Sequence, residues 1–530
     1  MTLPTNAQAR RSRLRRSWLA SAVGAGFLAL AARKLYQLGA PPDNPKPCDF
    51  VYPESDAPTK PQGAEPHFRF AQQGGTINDA SCLNRTPILG VATPAAVDEI
   101  RDVLAYARTQ GLKVSAAGTR HSMGGQSFSR DGLVIDMRGL NGIALDVPNK
   151  LVTVGAGATW NAVLRYLDAH QLAVQAMQSI SIFTVGGTLS VNAHGVAHLP
   201  GSIAPTVRSM RIMLSDGTVV TASPAENHDL FRHVLGGYGL FGIILEAQLK
   251  VVDNELYRAN VDYVDYREFP DYYARRVQGN ADIGLMYGRL SMSPLSWLRE
   301  TAVHTFLRIA GPDRCPPIMP DSHTRLERTI FNLSKTGSLG RWVRWNAERR
   351  FDTTLQCRSR NQTIGSDPAC GVSRNQEMDD QMEYLENRLD DTDILQEYFV
   401  PRDRFGEFVD GLRTIVTQER ANLLNATIRS VERDTISALP YAPQEAFALV
   451  LYFNQALSVQ ACQTMQRTTS ALIDLAIRVG GRFYLPYQLY YSAAQLGAAY
   501  PELSAFFYTK RKYDPSGVLS NTFYEKYRAT

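Results

Sequence analysis

The chain has 530 residues, 44% apolar and 20% charged, enough for two or three domains around a large core. Its formal net charge is +5, but the first forty residues hold seven basic side chains (Arg10, Arg11, Arg13, Arg15, Arg16, Arg33, Lys34) and no acid; without these seven the body stands at −2, a balance that does not support a nucleic-acid binder. The six cysteines (Cys48, Cys82, Cys315, Cys357, Cys370, Cys462) are scattered with no CxxC, which excludes a zinc ribbon or a thioredoxin-like motif.

In chain order, Arg10 to Arg16 form a basic stretch and Ser17 to Ala32 then run without charge. That run is long for a signal core and short for a membrane span, which needs about 20 residues. Residues 1–40 therefore read as a signal or a membrane anchor. Arg15-Arg16-Ser17-Trp18-Leu19 resembles a twin-arginine export signal, with Ala29-Leu30-Ala31 as a cleavage site. Either reading puts the body outside the cytoplasm or on a membrane. Residues 41–66 contain eight prolines and read as an extended linker.

The folded part begins at about residue 67. Thr93 as N-cap and Pro94 in the first turn predict a helix with Val97, Ile100, Leu104 and Ala107 on one face, ended by Gly111. A strand from Val114 then feeds Gly118-Thr119-Arg120-His121-Ser122-Met123-Gly124-Gly125-Gln126, and a second strand follows at Leu133 to Asp136. A glycine-rich loop between strands exposes successive N–H groups and suits a pyrophosphate. A phosphate cradle alone leaves His121 unexplained. Gly155-Ala156-Gly157 lies between a strand and a helix as a dinucleotide fingerprint would, but Trp160 stands where the third glycine belongs. Thr184-Val185-Gly186-Gly187-Thr188-Leu189 and Asn192-Ala193-His194-Gly195 come next, and Asp216-Gly217 predicts a hairpin. Gly236-Gly237-Tyr238-Gly239-Leu240-Phe241-Gly242-Ile243 opens a strand whose residues alternate inward and outward.

After residue 254 the segments lengthen. Residues 293–376 look like an insertion rich in Arg and Trp, read either as a solvated amphipathic face or as a surface for a membrane or partner. Strands return at Ile394 to Val400, Leu423 to Ser430 and Phe447 to Phe453.

Taken together, the GTRHS loop, VGAGATW, TVGGTLSVNAHG, the SDGTVV hairpin, GGYGLFGII and the closing KRKYDPSGVLSN resemble the vanillyl-alcohol-oxidase, or p-cresol-methylhydroxylase (PCMH)-type, flavoproteins. The likeness spans roughly residues 75–253 and the segment after 480. It implies an α+β fold with a two-subdomain FAD-binding domain at 67–253. An α/β substrate cap would follow at 254–480, with the insertion at 293–376, and a C-terminal segment at 481–530 would return to the FAD domain.

The resemblance also implies the site. Gly118, Thr119, Arg120, His121, Ser122, Gly124, Gly125 and Gln126 would hold the pyrophosphate. Val185, Gly186, Gly187 and Ala193 would run along the flavin, Gly237, Gly242 and Ile243 would hold the adenine end, and Asn521 would approach the ring system. The loop is similar to that of alditol oxidases, which casts His121 as the covalent carrier of FAD. No cysteine precedes Thr184 within Gln178 to Phe183, so a single attachment is expected.

Oxidising an alcohol also needs a base and a group that stabilises developing negative charge. His194 is a candidate base, or else a residue that bonds its own turn. Alternation puts Asn425, Thr427 and Arg429 on one strand face, where Arg429 either meets an anion at the site or pairs with a structural carboxylate. Of Gln396 and Glu397 only one can face substrate, and Glu397 is the candidate. Tyr484, Tyr487, Tyr490 and Tyr491 form a possible sugar-sized aromatic lining. The resemblance aligns Tyr487 with a lysine of the decaprenylphosphoryl-ribose oxidases, so their substrate does not carry over. Metal ligands are not expected: His194 and His198 lack the HExxH glutamate, and His228 and His233 lack metal spacing.

The expected activity is FAD-dependent oxidation of a CH–OH group in a sugar, alditol or lactone. Oxygen, a quinone or a cytochrome would serve as acceptor. The alternatives are a membrane-anchored flavin dehydrogenase and a flavin-binding protein without turnover.

Overall fold

The computed structural model describes residues 33, 36–38, 68–310, 315–319, 324–359, 371–379 and 391–529. The export or anchor segment and the proline-rich linker lie outside these, apart from residues 33 and 36–38, as does part of the 293–376 insertion. Among the described residues no helix is long and apolar enough to cross a membrane.

Among the described residues the fold is α+β and built on three larger sheets, with a fourth made of two short strands, Thr76–Ile77 and Thr86–Pro87. The first holds β1 (Phe70–Gln73), β2 (Gly90–Ala92), β3 (Val114–Ala117) and β4 (Leu133–Asp136) in the order β1-β2-β4-β3. β4 runs parallel to both β2 and β3. Helix α1 (Val97–Gln110) makes the crossover between β2 and β3, burying Ile100, Val103, Leu104 and Ala107. Its start differs from expectation. Ala96, not Thr93, is the N-cap and makes no side-chain cap bond, while the Glu99 carboxylate accepts from the Ala95 N–H just before the helix. Gly111 closes the helix in the left-handed conformation, with φ 66°.

The second sheet is antiparallel. It comprises β5 (Ile143–Asp146), β6 (Leu151–Gly155), β7 (Leu172–Val174), β8 (Val207–Met213), β9 (Val219–Ala222) and β10 (Ile243–Asp253). Its order is β9-β8-β10-β6-β5, with β7 pairing the far end of β10. The β8–β9 hairpin turns at Asp216-Gly217, where Gly217 has φ 91°. Glycines 155 and 157 serve packing: a methyl on Gly157 would lie 1.8 Å from the Met137 carbonyl. Trp160, at the start of α2 (Trp160–Asp168), is fully buried and donates to Thr188 Oγ1. The TVGG stretch is a short helix, α3 (Val185–Ser190).

The third sheet has eight antiparallel strands: β11 (Leu256–Asp265), β12 (Ile283–Leu290), β13 (Glu300–Arg308), β14 (Gly371–Ser373), β15 (Asp391–Pro401), β16 (Asn422–Val431), β17 (Ala446–Ala456) and β18 (Arg482–Phe483). Their order is β14-β11-β13-β12-β16-β17-β15-β18. Helices α4 (Thr324–Leu333) and α5 (Ser338–Ser359) contact this sheet, as do α6 (Phe405–Gln418) and α7 (Val459–Arg478). From the insertion, Lys335 reaches the fully buried Asp393 on β15 at 2.7 Å.

The segment after β18 returns to the first sheet. Val114 N donates to the Val518 carbonyl and Ser520 N to the Val114 carbonyl, so residues 518–520 extend the edge at β3. Thr522 bonds to Phe128 and Gly124 of the glycine-rich loop.

Candidate active site

The loop between β3 and β4 is held from below and from the side. Asp79, fully buried, accepts from Ser81, Asn84 and the Gly125 N–H. Burial pushes its carboxyl up to about 6, against the pull of those hydrogen bonds. Gln126 turns back on its own loop, accepting from Gly124 N, and donates to the carbonyls of Leu485 and Tyr487. Met123 N donates to the Pro486 carbonyl. The loop is thus fastened to the returning C-terminal segment.

Above it lie two joined spaces. The first is lined by Gly118, Thr119, Arg120, His121, Ser122, Gly187, Ala193, His194, Glu397, Arg429 and Tyr487, with Gln178, Phe183, Leu395 and Tyr484. The second is lined by Gly118, Ser122, Gln126, Gly186, Gly187, Tyr238, Gly242 and Ile243 among others. They meet at Gly118, Thr184 and Gly187. A methyl on Gly118 would sit 1.9 Å from Thr184 Oγ1, so only glycine lets the loop pass there.

The four candidate catalytic residues share one end of the first space. His194 Nε2 lies 2.6 Å from Glu397 Oε1, both side chains almost fully buried. The contact is close but lacks the alignment of a regular hydrogen bond. Tyr487 donates to the other Glu397 oxygen at 3.4 Å, and burial raises its hydroxyl pKa well above the ordinary value. Arg429 donates to Ser179 Oγ at 2.8 Å and to the His194 carbonyl at 3.5 Å. Among the described residues it forms no ion pair with a carboxylate. Gln396 points away and bonds Thr469 and Tyr398, so Glu397 is the member of that pair facing the cavity. His121 lies along the wall, its Nδ1 3.2 Å from Thr119 Oγ1 and its ring 4.4 Å from that of Phe183.

Several expected residues stand behind the wall. Val185 is core, and Gly124 and Gly125 pack against Tyr487 and Thr522. Gly237 is the tight contact with the His233 carbonyl. Asn521 does not reach either space. It caps the helix Thr522–Tyr527 and donates to the Tyr238 carbonyl, steadying the wall from outside. Of the tyrosines, Tyr484 and Tyr487 line the cavity, whereas Tyr491 stacks on Tyr527 away from it and Tyr490 is also absent from the lining. Asp79, Gln178, Ser179 and Phe183 were missed from sequence. Only Asp79 left a trace there, in the Asn78-Asp79-x-Ser81 turn chemistry. No cluster among the described residues could hold a metal ion.

A glycine-opened loop joining a long double space defines the class: a dinucleotide cradle with a polar chamber at one end. The FAD binding domain family matches residues 88–223. The chain is 35% identical to L-gulonolactone oxidase of Mus musculus over 160 residues, 30% of this chain and 36% of that protein. It is 34% identical to decaprenylphosphoryl-beta-D-ribose oxidase of Mycolicibacterium smegmatis over 171 residues, 32% of this chain and 37% of that protein. It is 29% identical to cytokinin dehydrogenase 9 of Oryza sativa subsp. japonica over 231 residues, 41% of this chain and 44% of that protein. Each match takes in less than half of the relative's length. Residues 88–223 belong to the FAD-binding domain family, and the cofactor is FAD.

The residues present fit that cofactor. Gly118, Ser122, Gln126, Gly186 and Gly187 line the space beside the glycine-rich loop, where small residues and backbone suit a pyrophosphate. At the chamber end Gln178 Oε1, His194 Nδ1 and Arg429 Nε are buried without a hydrogen-bond partner, which is the condition of a site awaiting a ligand.

Proposed function

We propose that the protein is an FAD-dependent oxidoreductase that oxidises a CH–OH group of a small polyhydroxylated substrate of the sugar, alditol or lactone type. The observation that carries this reading is the convergence of His194, Glu397, Tyr487 and Arg429 on one end of the FAD cavity. FAD, when bound, supplies the hydride acceptor. The chain supplies the proton chemistry. His194, whose Nε2 is turned to the Glu397 carboxylate, is placed to take the substrate hydroxyl proton at its other ring nitrogen, Nδ1, and to be stabilised by Glu397 once protonated. Arg429, facing neutral oxygens, retains charge for a substrate oxygen that becomes negative. Tyr487 orients Glu397, and Phe183 and Leu395 give the chamber an apolar wall. A relative whose name is a lactone oxidase supports the substrate class. Oxygen is the simplest acceptor, with a quinone or cytochrome as the other. The test is anaerobic mixing with polyols, sugars and lactones; failure of every substrate to bleach the flavin overturns this reading.

We also assign His121 as the covalent carrier of FAD, because its ring lies in the cavity wall rather than in the core. Acid precipitation should leave yellow colour in the pellet, and His121→Ala should lose it. A colourless wild-type pellet rules the bond out.

Export or anchoring by the N-terminal segment is the third part of the proposal. Cys82 is disulfide-bonded, which favours an oxidising compartment. Replacing Arg15 and Arg16 by lysine should strand folded protein in the cytoplasm; unchanged fractionation removes the twin-arginine route.

A further inference from the structure

Helix α5 is divided lengthwise. One side is committed to the eight-stranded sheet: Arg344 is buried and donates to the Leu424 carbonyl at 2.8 Å, and Glu348 joins Arg344 to Arg289. Burial pushes the Glu348 carboxyl up, but the two guanidiniums outweigh it and hold it at about 2. Trp345 is buried too, its Nε1 donating to Glu300. The helix cannot roll over without breaking this set.

The other side carries Leu339, Trp342 and Val343, with 74%, 41% and 38% of their surface exposed. Their spacing puts them on one face. Leu295, 84% exposed on the turn between β12 and β13, lines the same groove as Trp342. Arg299 and Arg349, both exposed, line the same groove as Leu295 and Trp342, Arg349 also pairing with Glu300 at 2.6 Å, and α5 as a whole has five arginines against two acids.

A second, independent observation says what covers this face. Asn332, at the end of α4 and one short turn before α5, donates to the Leu38 carbonyl at 2.9 Å. The charge-free run Ser17 to Ala32 ends six residues before Leu38. Six residues span at most roughly 20 Å. Leu38, which follows the apolar run in the chain, is bonded at the end of α4, just before α5.

We propose that the α5 face bearing Leu339, Trp342 and Val343, with Leu295 beside it, docks on a lipid bilayer that carries anionic headgroups. The apolar side chains enter the interface and the flanking arginines meet the headgroups, an arrangement suited to a helix lying in the membrane plane. It deepens the anchoring part of the preceding proposal: the N-terminal segment brings the chain to the membrane, and α5 fixes which way the body faces.

Hydrogen exchange on the full-length protein, in buffer and with vesicles of equal parts phosphatidylcholine and phosphatidylglycerol, tests this. Exchange across residues 338–346 should slow at least about tenfold on vesicles. In the Leu339→Glu, Val343→Glu double variant it should stay at the buffer rate, with an unchanged Tm because both side chains are exposed. Total vesicle association is a separate readout that reports the N-terminal segment, so failure of anchoring and failure of docking are distinguishable. Unchanged exchange at 338–346 with protein on the vesicles overturns the proposal. Slowing that appears in buffer and rises with protein concentration also overturns it, and assigns the face to a second copy of the chain.

Discussion

The two walls of the cavity are made by different means. The FAD wall, from β3 to β10, works through backbone: Gly118 and Gly187 remove side chains where Thr184 comes close, and the loop is positioned by bonds to its main chain. The opposite wall, on β15 and β16, works through side chains at alternate positions of long strands: Glu397 and Arg429 project from rigid, fully paired backbone. Backbone recognition tolerates almost no added volume. Side-chain recognition tolerates shape change but depends on each group's chemistry.

That contrast can be tested from its strongest consequence downward. Gly118→Ala should abolish FAD retention, since the new methyl has nowhere to go. Adding Thr184→Ala should restore part of it, as absorbance at the flavin band in purified protein will report. At the chamber end, where His194 meets Glu397 of the other wall, His194→Ala should keep FAD and lose about 10²-fold or more in the rate of flavin reduction by substrate. Glu397→Gln should show the same split between cofactor content and rate. If either variant loses the flavin instead, the two walls are not separable.

The smallest expected effect belongs to Asp79, beneath the loop. Burial holds its carboxyl up at about 6 in the folded protein, against the ordinary 3.8. The native state therefore binds a proton that the unfolded chain has released. This contribution to stability is present in full below pH 3.8 and is lost as pH rises through about 6. Two pKa units correspond to about 3 kcal/mol at most. Asp79→Asn should flatten the change in Tm measured between about pH 4.5 and pH 7. An unaltered slope would mean that Asp79 keeps an ordinary carboxylate pKa.

The same division explains what was legible in the amino-acid order. The glycine-rich loop could be found because a phosphate cradle needs consecutive residues, and consecutive residues are what a sequence displays. Strand alternation showed that only one of Gln396 and Glu397 faces the chamber, but which one depends on how β15 packs against α7, through Gln396 and Thr469. Gln178, Ser179 and Phe183 reach the cavity from a loop with no periodicity, so nothing local marks them. Asn521 was assigned to the ring system although its place at the start of a short helix is an N-cap signal in its own right. Thr93 shows the reverse error. A good cap residue was present, yet the N-cap falls three residues later, on Ala96, which makes no side-chain cap bond.

The return of residues 517–522 to β3 has a consequence for how the protein is made. Lys113, beside the strand that feeds the loop, is bonded to Gly517, 404 positions away. Val114 is bonded on both sides to Val518 and Ser520, and Gly124 is held by Thr522. A chain still emerging from the ribosome, with residues up to 253 already folded, lacks this edge and the fastening of the loop at 485–487. Contacts of such long separation form late. FAD therefore meets a finished cradle only after synthesis of the returning segment.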